Sequence, residues 1–399
     1  MLETILLWAI TGIIAGTITG LTPGLHINTI AILALGFYRA NEISPVLLST
    51  FIIAMSTTHS FIDFIPSIFF GAPDPATALT VLPTHDMLFK GKGYHALALS
   101  VIGGLFGMMM LIAFLASIAS LVTPAYTAIK PYIPYILITA VVFIILKSKK
   151  ITRTLFLFIL SGFLGMVALN ASMINANYIM FPLFAGLFGI SNIIMSFSNA
   201  SKVPKQKTEI KIQLNGTVKS SFLGFAGGLV AGIIPGLGSS QSAMLVQYIG
   251  KAKGAKSFII AVGTIGTIDI ILSFLAIYLI GKARSGVAIS VEKMMSSITP
   301  ETLQIFIGTA FFSAGIAAIL TLKIGKFATG IIEKIDYKKI NICIIFFLAA
   351  MTITFTGFCG LLLLITSTSL GIYTQLIGVR RSMLMGCLII PTIIFFLGL

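Results

Sequence analysis

Two stretches of this chain, about two hundred residues apart, carry the same glycine ladder and the same Pro-Gly-Leu break. Gly12, Gly16, Gly20, Pro23, Gly24 and Leu25 align without a gap on Gly224, Gly228, Gly232, Pro235, Gly236 and Leu237. The chain is 57% hydrophobic and 9% charged, so both breaks fall in helices made for a bilayer. Hydrocarbon cannot satisfy a free backbone amide or carbonyl, so a helix broken at membrane depth persists only where the gap is buried in protein or lines a wet cavity. Matching breaks in two halves point to a substrate site between inverted repeats. One break alone would read as a kink in a packed helix. Glycines at every fourth position add a smooth stripe that lets helices approach closely.

A second segment repeats as well. A shift of 206 places Thr58, Ile62, Asp63 and Ser67 on Thr264, Ile268, Asp269 and Ser273, against 212 for the glycine ladder. This alignment implies six fewer residues between the motifs in the later half.

Length, composition and a mean hydropathy of +1.07 define an all-α polytopic membrane protein and leave no room for a soluble domain. The first apolar run follows Glu3 without a basic segment or cleavage site, and reads as a retained span. Cys343, Cys359 and Cys387 lack metal-ligand spacing and read as small apolar residues. His26, His59, His85 and His95 form no H-E-x-x-H pattern, so no metal, cofactor or metalloenzyme is expected. The net charge of +15 sits in short loops without aromatic platforms, which excludes nucleic acid and serves instead as an orientation signal.

Hydropathy predicts a hairpin over residues 5–38 around Pro23, then spans at 45–70, 95–121, 131–146, 154–169 and 177–197. A polar linker follows at 199–219, between repeat 1 (1–198) and repeat 2 (220–399). A second hairpin covers 221–249 around Pro235, with spans at 257–280, 302–322, 340–358, 360–377 and 382–399. Each half is thus a broken-helix hairpin plus five crossings. An odd number of crossings inserts the halves with opposite orientation, as two inverted-topology repeats. Most of the 26 basic residues then fall on one face, including Lys147, Lys149, Lys150, Arg380, Arg381 and the lysines of the linker. That face is expected to be cytoplasmic in a multi-pass cell-membrane protein.

Of the eleven acidic residues, only Asp63 and Asp269 lie inside predicted spans. A carboxylate at membrane depth costs roughly 2.5–3.5 kcal/mol on insertion scales and usually faces a cavity. Hydroxyls surround both: Thr58 and Ser67 in one case, Thr264 and Ser273 in the other. Oxygen ligands suit a hard cation such as Na+, and a desolvated Asp suits H+. A structural anchor between helices is the alternative. The breaks are flanked by short polar residues. Thr22, Pro23, Gly24, His26, Asn28 and Thr29 form one candidate substrate wall; Pro235, Gly236, Gly238, Ser239, Ser240 and Gln241 form the other. A half-helix starting there would aim free amides at an anionic group, although Asn and Ser also serve as ordinary caps.

Gly-Leu-Thr-Pro-Gly-Leu at 20–25 and Gly-Ile-Ile-Pro-Gly-Leu-Gly at 232–238 resemble the paired motifs of the tripartite tricarboxylate transporter large membrane subunit. The loop from Phe70 through Gly71, Pro73 and Asp74 to Pro83, with the basic Lys90-Gly91-Lys92-Gly93 segment after it, is similar to that family's Gly-x-Pro loop. The resemblance implies ion-driven secondary transport of a di- or tricarboxylate, with a small membrane subunit and an extracytoplasmic binding protein as partners. The second half offers Gly281, Arg284, Ser285 and Gly286 where a matching loop would fall, and the Asp pair is not part of the family motif.

Two rivals remain on sequence. An intramembrane aspartyl hydrolase would need Tyr-Asp and Gly-x-Gly-Asp settings, whereas these are Phe-Ile-Asp-Phe and Thr-Ile-Asp-Ile. A carrier of an anionic lipid head group such as a polyprenyl phosphate would use the same hairpins, but with a cavity open sideways to membrane lipids.

Overall fold

The computed structural model describes residues 2–398 except 24–26, 28–29, 32–33, 36–37, 39–42, 75, 175–177, 197–202, 210–213, 234–237, 249–253, 282, 284, 296 and 334–336. Among these residues the structure is helical, with no strand. The first half contains α1 (Leu2–Leu21), α2 (Pro45–Ile62), α3 (Phe64–Phe70), α4 (Val81–Phe89), α5 (Gly93–Ala113), α6 (Leu115–Ile129), α7 (Ile133–Leu146) and α8 (Ile151–Leu169). It closes with α9 (Met180–Phe184), a π-helical turn (Ala185–Ile190) and α10 (Ser191–Ser196). The second half contains α11 (Leu214–Ile233), α12 (Ser239–Tyr248), α13 (Ala255–Ile280), α14 (Gly286–Met294), α15 (Pro300–Ile332), α16 (Tyr337–Leu376) and α17 (Gly386–Leu397). Eight of the described helical stretches are long and apolar enough to cross a membrane.

Local chemistry sets the interruptions. Pro45 opens α2, where its missing N–H is no loss. Pro66 can neither donate to the Ile62 carbonyl nor tolerate it closely, and the span 45–70 breaks at Asp63 between α2 and α3. Gly71, at φ +65°, ends α3 in the left-handed region that glycine enters without strain. The two spans expected at 340–358 and 360–377 are the two arms of α16, two helices that meet at a kink at Gly357, whose φ of +64° and ψ of −161° are not helical. The span expected at 95–121 instead divides at Phe114. α11 starts at Leu214, inside the expected linker. Residues 203–209 of that linker fold back onto the bundle: Gln206 donates to the Leu88 carbonyl at 3.0 Å and accepts from the Gly93 amide at 2.8 Å.

Two helical bundles result, each drawing on both halves of the sequence. In the first, α1 packs on α2 and α11 on α13, while α13 crosses α5 and α2 crosses α15. In the second, α8 packs on α17, and α16 packs on the π-helical turn and its flanking helices. Small residues set the crossings. A Cβ added at Gly103 would lie 2.2 Å from the Ile260 carbonyl, and one at Gly263 would lie 2.3 Å from that of Ser100.

The glycine ladders bring two helix pairs, α1 with α2 and α11 with α13, into register. An added Cβ at Gly12 would meet the Phe51 carbonyl and Ala54 Cβ, at Gly16 Thr58 Cβ, and at Gly20 Ile62 Cβ. The same test at Gly224 meets the Ala261 carbonyl and Thr264 Cβ, at Gly228 Ile268 Cβ, and at Gly232 Leu272 Cβ. Every rung matches at a shift of 212 on the ladder and 210 on its partner helix. The shift of 206 inferred for the second segment is therefore one helical turn out. A four-residue slip keeps residues on nearly the same face, so hydroxyls spaced by four survive it and disguise the error. In the corrected register Asp269 takes the place of His59, and Ser273 that of Asp63.

Candidate functional site

A cavity of about 740 Å³ lies between the two bundles. α2 and α3 contribute Ser56, His59, Ser60, Asp63 and Phe64; α13 contributes Val262, Gly266, Asp269, Ile270, Ser273 and Phe274. Val262 apart, each member of the second set is a member of the first plus 210, so α2–α3 and α13 present matching positions to one space. The loop after α3 adds Asp74, Ala76 and Thr77, and the segment at the start of α14 adds Ser285, Gly286 and Val287. The opposite wall is mostly apolar and comes from the second bundle, with Met166, Leu169, Phe184, Leu388 and Phe395 among its residues. No Lys or Arg occurs among the described lining residues.

Gly238, Ser239, Ser240 and Gln241 line the cavity where α12 begins, so this helix turns its amino end toward it. Gln241 Oε1 accepts from the Gly238 amide at 3.1 Å. Ser239 Oγ donates to Asp269 Oδ2 at 2.7 Å, tying the helix start to the carboxylate. Ser273 donates back to the Asp269 carbonyl at 2.8 Å.

Across the cavity, His59, Asp63 and Asp74 offer one nitrogen and two carboxylate oxygens that all lie within 4.8 Å of one another. His59 Nε2 is 3.5 Å from Asp74 Oδ2, and Nδ1 is 3.0 Å from Thr19 Oγ1. Asp63 is 3% exposed, and its Oδ1 is buried with no hydrogen-bond partner among the described residues. The break at Asp63 thus sets an unpaired carboxylate oxygen at the join of α2 and α3.

Of the residues singled out from sequence, Asp63, Asp269 and Ser273 from the candidate ion set and Gly238, Ser239, Ser240 and Gln241 from the candidate substrate set line the same cavity. Three other candidates for the ion site do not line the cavity. Thr58 lies buried under Gly16, Thr264 donates to the Gly103 carbonyl at 2.8 Å, and Ser67 is buried in α3. Thr58 and Thr264 face neighbouring helices. Thr22 caps the end of α1 by donating to the Ile18 carbonyl at 2.8 Å, with Pro23 beside it. Gly24, His26, Asn28, Thr29, Pro235 and Gly236 lie outside the described residues.

Gly71 and Pro73 form the turn leaving α3, against Gly189 of the π-helical turn and His85. His85 is buried in α4, where Asn192 reaches its ring nitrogen at 3.2 Å. Burial, helped by the Arg381 charge, pushes its pKa down to about 4, so the ring is neutral. His59 and Asp74 were not singled out from sequence. The signal was present as His59 and Asp63 four apart on one helix, but Asp74 joins them only through the turn at Gly71.

The family model of the tripartite tricarboxylate transporter TctA family matches residues 6–386. The chain belongs to this family. It is accordingly a multi-pass membrane component of a transporter, as its motifs at 20–25 and 232–238 implied. TctA proteins work in tripartite systems with a binding protein and a small membrane subunit. A relative from Methanocaldococcus jannaschii, described as uncharacterized protein MJ1079, is 33% identical over 407 residues, covering 98% of this chain and 99% of its own. No solved structure matches the chain.

Proposed function

We propose that this TctA protein is an ion-coupled permease for a small di- or tricarboxylate, working by alternating access through the cavity between the bundles. The observation that carries this reading is that Asp63 and Asp269, the two carboxylates expected at membrane depth, share one cavity whose walls repeat between the hairpins. Neither the helix start at Ser239 nor its hydroxyls would alone offset three Asp side chains facing a polyanion. A cation bound with the substrate removes that repulsion, which is the physical reason for coupling. The oxygen-rich surroundings of Asp269 suit Na+, and protonation of either carboxylate would couple H+ instead.

The matched rungs support two structural repeats, and the odd number of crossings expected in each half, with basic loops and a basic linker, supports their insertion with opposite orientation and a cytoplasmic linker. The apolar wall opposite the carboxylates supports sliding or rocking of the first bundle against the second. A small membrane subunit and an extracytoplasmic binding protein would deliver substrate as elsewhere in the family. Uptake of labelled di- and tricarboxylates into proteoliposomes of the purified chain, under imposed Na+ or H+ gradients, tests the reading. Accumulation without any gradient dependence would overturn it.

A second reading, carriage of an anionic lipid head group, is favoured by one observation: Phe395, which lines the cavity, is 75% exposed. An apolar rim of this kind would admit a lipid tail from the side. Polyprenyl phosphate in the same liposomes separates the two readings by competing for uptake or leaving it unchanged.

A further inference from the structure

We infer that His59, Asp63 and Asp74 form a binding site for a divalent metal ion, with coordination positions left open toward the cavity. Resting on the carboxylate reading above, those open positions are where carboxylate oxygens of the transported anion complete the metal's shell, so that substrate and metal move as a chelate.

Four observations converge on this site. The three ligand atoms lie within 4.8 Å of one another, a separation that small adjustments of side chains on one centre can close. Asp63 supplies a buried oxygen, Oδ1, that has no hydrogen-bond partner among the described residues, in a side chain 3% exposed. An orphaned acceptor of this kind is costly unless something fills it. His59 Nδ1 lies 3.0 Å from Thr19 Oγ1, whose hydroxyl is also 3.2 Å from the Gly16 carbonyl. In the tautomer with its proton on Nδ1, His59 donates to Thr19 and turns the lone pair of Nε2 to the side of Asp74, 3.5 Å away. Metal-binding histidines are oriented in this way, by donating the second ring N–H to an oxygen.

The donor chemistry selects the class of cation. One imidazole nitrogen with two carboxylates suits a divalent first-row ion better than Na+, which prefers oxygen alone. Two carboxylates and a neutral imidazole also match two positive charges. Three protein ligands leave positions for exogenous oxygen donors. Asp269 and Ser239 lie elsewhere on the same cavity and remain available to a coupling ion.

The test is Mn2+ binding to the full chain in detergent, followed by loss of the free-ion EPR signal and by nitrogen modulation of the bound ion. The expected result is one saturable Mn2+ per chain with an imidazole nitrogen coupled to it. Asp63→Asn and Asp74→Asn should weaken binding about 10–100-fold, and Thr19→Val, which only reorients His59, about tenfold. Asp86→Asn, at the exposed partner of Lys90, should bind as the wild type does. Absence of saturable binding by a monodisperse wild-type chain overturns the inference, as does binding that none of the three site variants alters. Proteoliposome uptake keeps the two readings apart. Carboxylate uptake that is undiminished by a chelator, with no Mn2+ bound, sinks the metal site and leaves the transport reading standing. Mn2+ held with imidazole coupling, but no carboxylate uptake under any gradient even with a small membrane subunit and a binding protein reconstituted beside the chain, supports the site and sinks the transport reading.

Discussion

His59 on α2 and Asp269 on α13 occupy the same rung of two helix pairs, α1–α2 and α11–α13, that pack alike, each one turn before a second lining position, Asp63 or Ser273. The two halves therefore share a scaffold but carry different chemistry. One side holds an imidazole and two carboxylates, the other a carboxylate tied to the start of a helix. An asymmetric pair of sites within a symmetric frame is what a carrier needs if one ion drives and another accompanies the substrate.

Asp269→Asn keeps the shape of the side chain and removes its charge. Under the proposed ion coupling, gradient-driven uptake by this variant is expected to fall by about tenfold or more, because a cation held at this carboxylate would lose its counter-charge at membrane depth. Uptake at wild-type rates under the same gradient would remove Asp269 from the coupling step.

Ser239→Ala deletes the hydroxyl that donates to Asp269 at 2.7 Å. A hydrogen bond to a charged group contributes about 1.5–3 kcal/mol, so half-saturation by the coupling ion should rise roughly tenfold or more. The ion titration of initial uptake rates checks this, and the maximal rate should change less than the ion dependence.

Two glycines separate packing from transport. A Cβ at Gly232 would lie 2.4 Å from Leu272 Cβ, so Gly232→Ala should push α11 off α13 and cost about 1–3 kcal/mol, seen as a lower Tm in detergent. Gly266 lines the cavity with nothing within 4 Å of an added Cβ. Gly266→Leu should leave the Tm within a few degrees of wild type and still block uptake by filling the cavity.

His85 supplies a pH signature for stability. Its pKa in the fold, held down to about 4, lies below the ordinary 6.5 of the unfolded chain. Between those values the unfolded chain binds a proton that the native chain refuses, so stability rises with pH across the window and falls as pH drops toward 4. The full effect is on the order of 3 kcal/mol. His85→Gln should flatten the Tm profile between pH 4 and 6.5 relative to wild type. Parallel profiles for the two proteins would contradict the assignment.

The class of fold, the repeated glycine ladder, and Asp63, Asp269 and the Ser239–Gln241 segment as places to look for a site were legible in the residues alone. Hydropathy, Pro-Gly breaks and isolated intramembrane charges act locally, and each constrains its own stretch of backbone whatever surrounds it. Tertiary packing decided the register between the halves and the membership of the site. A helix repeats its faces nearly every four residues, so sequence could not separate an alignment at 206 from one at 210; only the contacts of Gly16 with Thr58 and of Gly228 with Ile268 could. Thr58 and Thr264 share the polarity of the lining residues, yet they point into helix contacts, because orientation about the helix axis is set by what each helix packs against. Asp74 comes within reach of His59 through the left-handed turn at Gly71, a meeting of separate elements that no spacing along the chain encodes.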